Sequence, residues 1–145
     1  MIWNTIPNDG RLHLWKLLRD DLKDRTLEEQ LTLVAQFCSS IPFGARTLDY
    51  YSPKEWPTPW EILFHGSFCT SSISLLIFYT LTLTPLDAVV ELHLVQDDEG
   101  IFLLPVINDQ FILNYELGKV SICPEIKNNF TVLKVYHKEQ IKTIT

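Results

Sequence analysis

The sequence predicts an α+β fold, in which N-terminal helices and a central cysteine-bearing helix pack on an antiparallel sheet of about four strands. Apolar residues recur at helical spacing in the first half of the chain. Short apolar and β-branched runs, separated by turn residues, follow in the second half. With 145 residues, 46% of them hydrophobic, the chain can bury a core, and we expect a single domain over residues 1–145.

Three helices are expected ahead of the central one. The first has apolar residues on one face: Leu12, Trp15, Leu18 and Leu22. Thr26 and Glu29 fit a capping box that opens the second helix, whose apolar stripe includes Cys38. Pro59 suits the first position of a short third helix, with Thr58 as its cap. Cys38 is therefore expected to be a small core residue.

Residues 68–86 form a long run without charges, which begins next to Cys69. Its length raises the alternative of a membrane span. Seven Ser and Thr residues within it, and the lack of flanking Lys or Arg, favour a buried helix that ends before Pro85. The first residues also lack the pattern of a secretory signal peptide. We therefore expect no membrane association.

The remaining segments read as strands over residues 88–95, 101–107, 110–115 and 130–137. Residues 97–100 and 108–109 have the composition of turns between them. Pro105 lacks a backbone N–H, so it suggests an edge position or a bulge for the second strand. The acidic turn at 97–99 lacks the ligand spacing of a calcium loop and is expected to be solvated.

Composition excludes several classes of function. Twelve basic and eighteen acidic residues give a net charge of −6, and without a basic stripe we expect no nucleic-acid partner. Cys38, Cys69 and Cys123 form no metal-binding spacing, so neither a metal nor a cofactor is expected. A sparse, odd cysteine count suits a reducing compartment such as the cytoplasm.

Cys69 is the candidate nucleophile. A helix N-terminus favours the thiolate form of a cysteine, which is the reactive species. Catalysis also needs a base within hydrogen-bond reach of the thiol. An inert buried thiol is the competing interpretation, and it is the one that the sequence favours.

Several motifs resemble the bacterial transglutaminase-like cysteine proteinase family. The first is D-Y-Y-(x)6-T-P-x-E-x-L-(x)5-C, from Asp49 to Cys69. The stretches 109–120 and 129–134 are similar to the family's Leu-Asp-Asn strand and to its Gly-Tyr-x-x-Leu-Lys strand. The resemblance implies a transglutaminase-like, papain-like fold with a cysteine, a histidine and an aspartate in its site.

The sequence departs from this pattern at the catalytic positions. Phe68 and Thr70 replace the acidic residues that flank the family's cysteine. The family's histidine aligns at or near Phe102, and its orienting aspartate aligns with Asn114. The resemblance therefore implies a degenerate triad, in which the general base is missing.

His93 is the candidate replacement for that base, since it lies one strand before the expected position. The alternation of its strand favours a plain surface histidine instead. His65 is close to Cys69 in sequence, but its segment would have to fold back.

Two functions follow. The leading hypothesis is a non-catalytic structural or protein-interaction module, a pseudoenzyme on a transglutaminase-like fold. The family resemblance further suggests a phage-encoded, virion-associated protein. Residues 53–60, or an edge strand near Pro105, would contact a protein partner. The alternative is an active cysteine hydrolase, peptidase or acyltransferase with Cys69 as nucleophile and His93 as base.

Overall fold

The computed structural model describes residues 5–41, 44, 48–65 and 69–141. The helices are α1 (Asn8–Asp21), α2 (Leu27–Cys38), α3 (Pro59–His65), α4 (Thr70–Thr82) and the single turn α5 (Cys123–Ile126). The strands are β1 (Val90–Asp97), β2 (Gly100–Ile107), β3 (Phe111–Leu113), β4 (Val120–Ile122) and β5 (Thr131–Tyr136).

The strands form one antiparallel sheet in the order β4-β3-β2-β1-β5. The predicted α+β class is confirmed, and the sheet has five strands where about four were expected. The additional strand, β4, is three residues long. It was missed because so short a run shows no alternation that separates it from a turn.

The ends of the helices agree with their capping residues. Thr26 and Glu29 form a reciprocal capping box at the start of α2. The Thr58 hydroxyl accepts from the Glu61 N–H at 3.2 Å, which caps α3 in the same way. Cys69 is the N-cap residue of α4. The Thr26 and Thr58 side chains satisfy amide groups that a helix leaves unpaired at its N-terminus, whereas the Cys69 side chain makes no such bond.

Helix α4 lies in the centre of the molecule, and every residue from Ser71 to Leu81 is buried. One face of the sheet covers it through Leu92, Leu94 and Leu103, and helices α1 to α3 cover its other sides. A helix surrounded in this way has no side from which a charged side chain reaches solvent, which explains the uncharged run. Within the described ranges, none of the helices has the length and hydropathy that crossing a membrane requires.

Pro105 lies in β2, a central strand between β1 and β3, so the expected edge position holds only locally. The ladder between β2 and β3 covers only Val106 and Ile107, so β2 is unpaired on that side from Gly100 to Pro105. The backbone groups of Leu103 point to this free side, because they bond to α4 and not to β1. Alternation turns the nitrogen of Pro105 to the same side, where no strand needs its N–H.

Side chains of α4 complete the free side of β2. The Leu103 N–H donates to Ser71 Oγ at 3.1 Å, and the Ser74 hydroxyl donates to the Leu103 carbonyl at 2.7 Å. Asn114 extends the contact by donating to Ser74 Oγ at 2.8 Å. We call these four residues the α4–β2 seam. It gives buried backbone groups the partners that a neighbouring strand would otherwise supply.

The other face of the sheet has its own small core. Its buried residues are Val95, Leu104, Val106, Ile112 and Ile126. The connection from β4 to β5, residues 123–130, runs across this face from one edge of the sheet to the other. Consequently β1 and β2 are covered on both faces.

Removing one hydroxyl of the seam tests its structural role. Ser74→Ala leaves the buried Leu103 carbonyl without this donor, so we expect the free energy of unfolding to fall by about 1–3 kcal/mol. Thr32→Ala is the control, because this exposed hydroxyl bonds to the Glu28 carbonyl within α2, and it should change stability by less than about 0.5 kcal/mol. Urea denaturation measures both variants. Equal effects of the two substitutions would contradict the role.

Candidate functional site

Cys69 lies where α4 begins, with an extended backbone (φ −66°, ψ 165°). Its side chain is partly buried. Among the described residues, its hydrogen-bond partner is the Ser72 hydroxyl, 3.6 Å from Sγ. The predicted position of the thiol at a helix N-terminus is therefore confirmed, and its contact is with a neutral hydroxyl.

An open cavity of about 720 Å³ lies next to this helix start. Thr70, Phe102 and Asn114 are among its lining residues. By the family resemblance, Thr70 is the neighbour of the cysteine. Phe102 is at or near the position of the family's histidine, and Asn114 is at the position of its aspartate. The structure thus brings the three positions to one cavity. Phe68, the other residue that flanks Cys69, lies outside the described residues.

The pleat of β2 separates two residues at the expected base position. Phe102 is opposite Val95 and packs with the core on the far face of the sheet. Ile101 alternates with it and so shares the α4 face with Leu103, and it also lines the cavity. A base on the α4 side of the sheet would therefore occupy position 101, and neither position carries an imidazole.

Asn114 has a left-handed backbone (φ 64°), a conformation that Asn tolerates better than most residues. Its side-chain nitrogen donates to the Thr70 carbonyl at 2.9 Å and to Ser74 Oγ at 2.8 Å. Both N–H groups of the amide are used to hold the first turns of α4. The residue that aligns with the family's orienting aspartate therefore serves the attachment of the helix.

His93 is not brought to Cys69. It lies on β1 opposite Leu104, on the face of the sheet that turns away from α4. Its Nε2 is 3.1 Å from a carboxylate oxygen of Glu91, and the other oxygen of Glu91 is 3.2 Å from Nδ1 of His137. The sheet stands between this group and the thiol.

The other two histidines have separate surroundings. His65 is exposed at the end of α3, where its ring meets Phe64 edge to face at 5.4 Å. His13 is exposed on α1. Residues 66–68, which connect α3 to Cys69, are among those that the structure does not describe.

An acidic turn borders the cavity, a feature that the sequence reasoning did not connect with the site. Asp97, Asp98 and Glu99 all line it. The Asp97 carboxylate accepts from the N–H groups of Glu99 and Gly100 at 2.8 and 3.2 Å, which fixes the turn. The sequence signal that could have linked this turn to the site is its position directly before β2, because β2 carries the position of the expected base.

Of the three thiols, Cys38 is a core residue, as predicted. It is 2% exposed, and burial raises its pKa to about 12. Cys69 and Cys123 are partly exposed. Cys38 therefore stays protonated at any pH at which the protein would work.

The aromatic residues near α3 divide into core and surface. Trp56 is buried and donates from Nε1 to the Asp49 carbonyl, and its ring packs edge to face on Tyr136 at 5.1 Å. Trp60 and Phe64 are 44% and 61% exposed. Within residues 53–60, Trp60 is thus the aromatic side chain that a partner could reach.

Solved structures with a similar fold include those of LapG from Legionella pneumophila. One has a TM-score of 0.75 over 90% of this chain and 76% of the LapG chain, at 16% sequence identity. Calcium-bound LapG gives 0.71 over 93% and 81%, at 14% identity. EGTA-treated LapG gives 0.75 over 90% and 74%, at 16% identity. The likeness confirms the predicted transglutaminase-like fold and, at such identities, shows the fold alone.

Sequence comparisons add no relative. No family model matches the chain, and no curated protein matches it either.

Restoring the family's residue at position 114 should weaken the protein. Asn114→Asp keeps the size and tolerates the same left-handed backbone. An ionised carboxylate cannot donate to the Thr70 carbonyl, so we expect a loss of about 1–3 kcal/mol at pH 7. The loss should shrink near pH 4, because a protonated carboxyl regains one donor.

Urea denaturation at the two pH values checks this, with Asp98→Asn on the exposed turn as the control. An Asn114→Asp variant as stable as the wild type at pH 7 would contradict the attachment role of Asn114.

Proposed function

We propose that this chain is a non-catalytic transglutaminase-like domain that acts by binding another protein. The observation that carries the proposal is the use of Asn114: its amide holds α4, while positions 101 and 102 supply no base. A cysteine hydrolase needs a proton acceptor for the thiol and a proton donor for the leaving group. Family resemblance, with its degenerate triad, supports the same proposal.

The surface we propose for the partner is the free edge of β5. This strand pairs with β1 and ends the sheet. Val132 and Leu133 are 45% and 40% exposed, and Leu133 is the extra residue where the register of β5 against β1 shifts. An edge strand with exposed apolar residues is a template for an added strand. The free edge of β5 replaces the edge near Pro105 that the sequence suggested as the contact surface.

The setting of the domain is a prediction from the sequence. A virion-associated role for a phage-encoded protein comes from the family resemblance, and a reducing, cytoplasmic location comes from the cysteine usage. Both accord with a domain that works through a protein partner.

The alternative function is a cysteine hydrolase, peptidase or acyltransferase. The position of Cys69 at the start of α4, next to an open cavity, favours it. The sequence suggested His93 as the base for this function, and the sheet separates His93 from the thiol. The hydrolase alternative therefore needs a different proton acceptor.

A turnover assay separates the two functions. Wild-type protein and Cys69→Ser are compared on peptide and ester substrates with a fluorogenic leaving group. We expect equal rates, because a thiol without a base does not complete acyl transfer. A rate in the wild type that is lost in Cys69→Ser would contradict the non-catalytic proposal.

Adding the missing base should raise the reactivity of the thiol. Ile101→His places an imidazole on the α4 face, and we expect faster alkylation of Cys69 by iodoacetamide at pH 7 than in the wild type. Phe102→His is the matched control, because it places the same imidazole on the far face of β2. Peptide mass spectrometry distinguishes Cys69 from Cys123. Equal acceleration in both variants would contradict this account of the site.

A further inference from the structure

A second group of polar side chains lies away from Cys69. Glu91 and His93 project from β1 on the far face of the sheet, and Asp109 belongs to the turn between β2 and β3. One ligand atom from each of the three side chains lies within 4.8 Å of the other two. We call these residues the β1-turn cluster.

His137 adds to this cluster from the neighbouring strand end. Its Nδ1 is 3.2 Å from Oε2 of Glu91, while His93 Nε2 is 3.1 Å from Oε1 of the same carboxylate. His137, which lies outside the cluster, therefore orients one oxygen of Glu91. Carboxylates and histidines that hold a metal are commonly fixed by such outer contacts.

The two carboxylates of the cluster favour binding of a cation. Glu91 and His93 have side chains that are only 16% and 14% exposed, and Asp109 brings a second carboxylate to them. Across the part of the chain that the structure describes, the ion pairs of Glu91 are with the two histidines and with no Lys or Arg. Asp109 itself is exposed, while Glu91 is partly buried, and two neighbouring carboxylates are stabilised by a positive charge between them.

The backbone of the β2–β3 turn holds Asp109 near Glu91 and His93 without a bound ion. Asn108 and Asp109 both have positive φ (54° and 52°), as in the tight turns that suit hairpins. Asn108 fixes the turn to the start of β1: its N–H donates to the Val89 carbonyl at 2.8 Å, and its Oδ1 accepts from the Val89 N–H at 2.9 Å. Three ligand atoms are thus held by sheet register and one turn.

We propose that the β1-turn cluster binds one divalent transition-metal ion, with Zn²⁺ as the representative ion. Glu91, His93 and Asp109 are the ligands, and His137 is an outer partner that orients Glu91. One imidazole nitrogen with two carboxylate oxygens is a donor set that Zn²⁺ accepts, whereas Ca²⁺ and Mg²⁺ prefer sites made of oxygen alone. The ion joins β1 to the β2–β3 turn.

Isothermal titration of the EDTA-treated full chain with ZnCl₂ at pH 7.5 tests the site. We expect one Zn²⁺ per chain in a Cys69→Ser, Cys123→Ser background, which removes the two accessible thiols as competing ligands. His93→Ala and Asp109→Asn should each weaken binding at least about tenfold, since even outer-shell changes cost about 10–100-fold in metal affinity. Asp109→Asn keeps a residue that tolerates the positive φ.

Two control variants complete the design. His13→Ala and Asp98→Asn remove an exposed histidine and an exposed carboxylate elsewhere and should leave the affinity unchanged. Co²⁺ in place of Zn²⁺ should give visible absorption that is lost in His93→Ala. No binding of Zn²⁺, binding unaffected by Asp109→Asn, or displacement of Zn²⁺ by millimolar Ca²⁺ would each overturn the proposal.

Discussion

The hydroxyls of Ser71 and Ser74 meet the backbone of Leu103, and the rest of the fold depends on this contact. Helix α4 has no charge to anchor it and no exposed face along its buried length. Strand β2 has no neighbouring strand along most of one side. The helix and the strand stabilise each other, because serine side chains of α4 bond the N–H and C=O groups that β2 leaves free. The helix is therefore held at one register on the sheet.

The same contact determines what the cavity can do chemically. Asn114 reaches both Ser74 and the Thr70 carbonyl, so its donors are committed to the helix start beside Cys69. In a catalytic site that position would orient a base. Here an amide serves as a link between β3 and α4. The polar group at the start of α4 thus has a structural use.

Local chemistry made much of the fold predictable. Thr26 and Thr58 cap helix starts, and capping requires only nearby residues. Helix α4 ends before Pro85, since the residue before a proline disfavours the helical conformation. Register and pairing were not predictable in the same way. The central position of Pro105 depends on how short β3 is, which no pattern within β2 reveals.

The site was predictable only in part. The sequence motifs predicted that Thr70, Phe102 and Asn114 belong to one site, and these residues line one cavity. Which of Ile101 and Phe102 faces α4 could not be predicted, because it depends on how the strands pair. The proximity of Glu91 and Asp109 likewise arises from sheet register, since the two residues are eighteen positions apart. Sequence spacing alone detects ligand sets within one element.

Native-state hydrogen exchange at the Leu103 amide measures the central contact most directly. The N–H of Ile101 points to the same free side of β2 and provides the internal reference. We expect Leu103 to exchange as slowly as the paired amides of β1, and we expect Ser71→Ala to bring its rate close to that of Ile101. Exchange of Leu103 as fast as Ile101 in the wild-type protein would contradict this expectation.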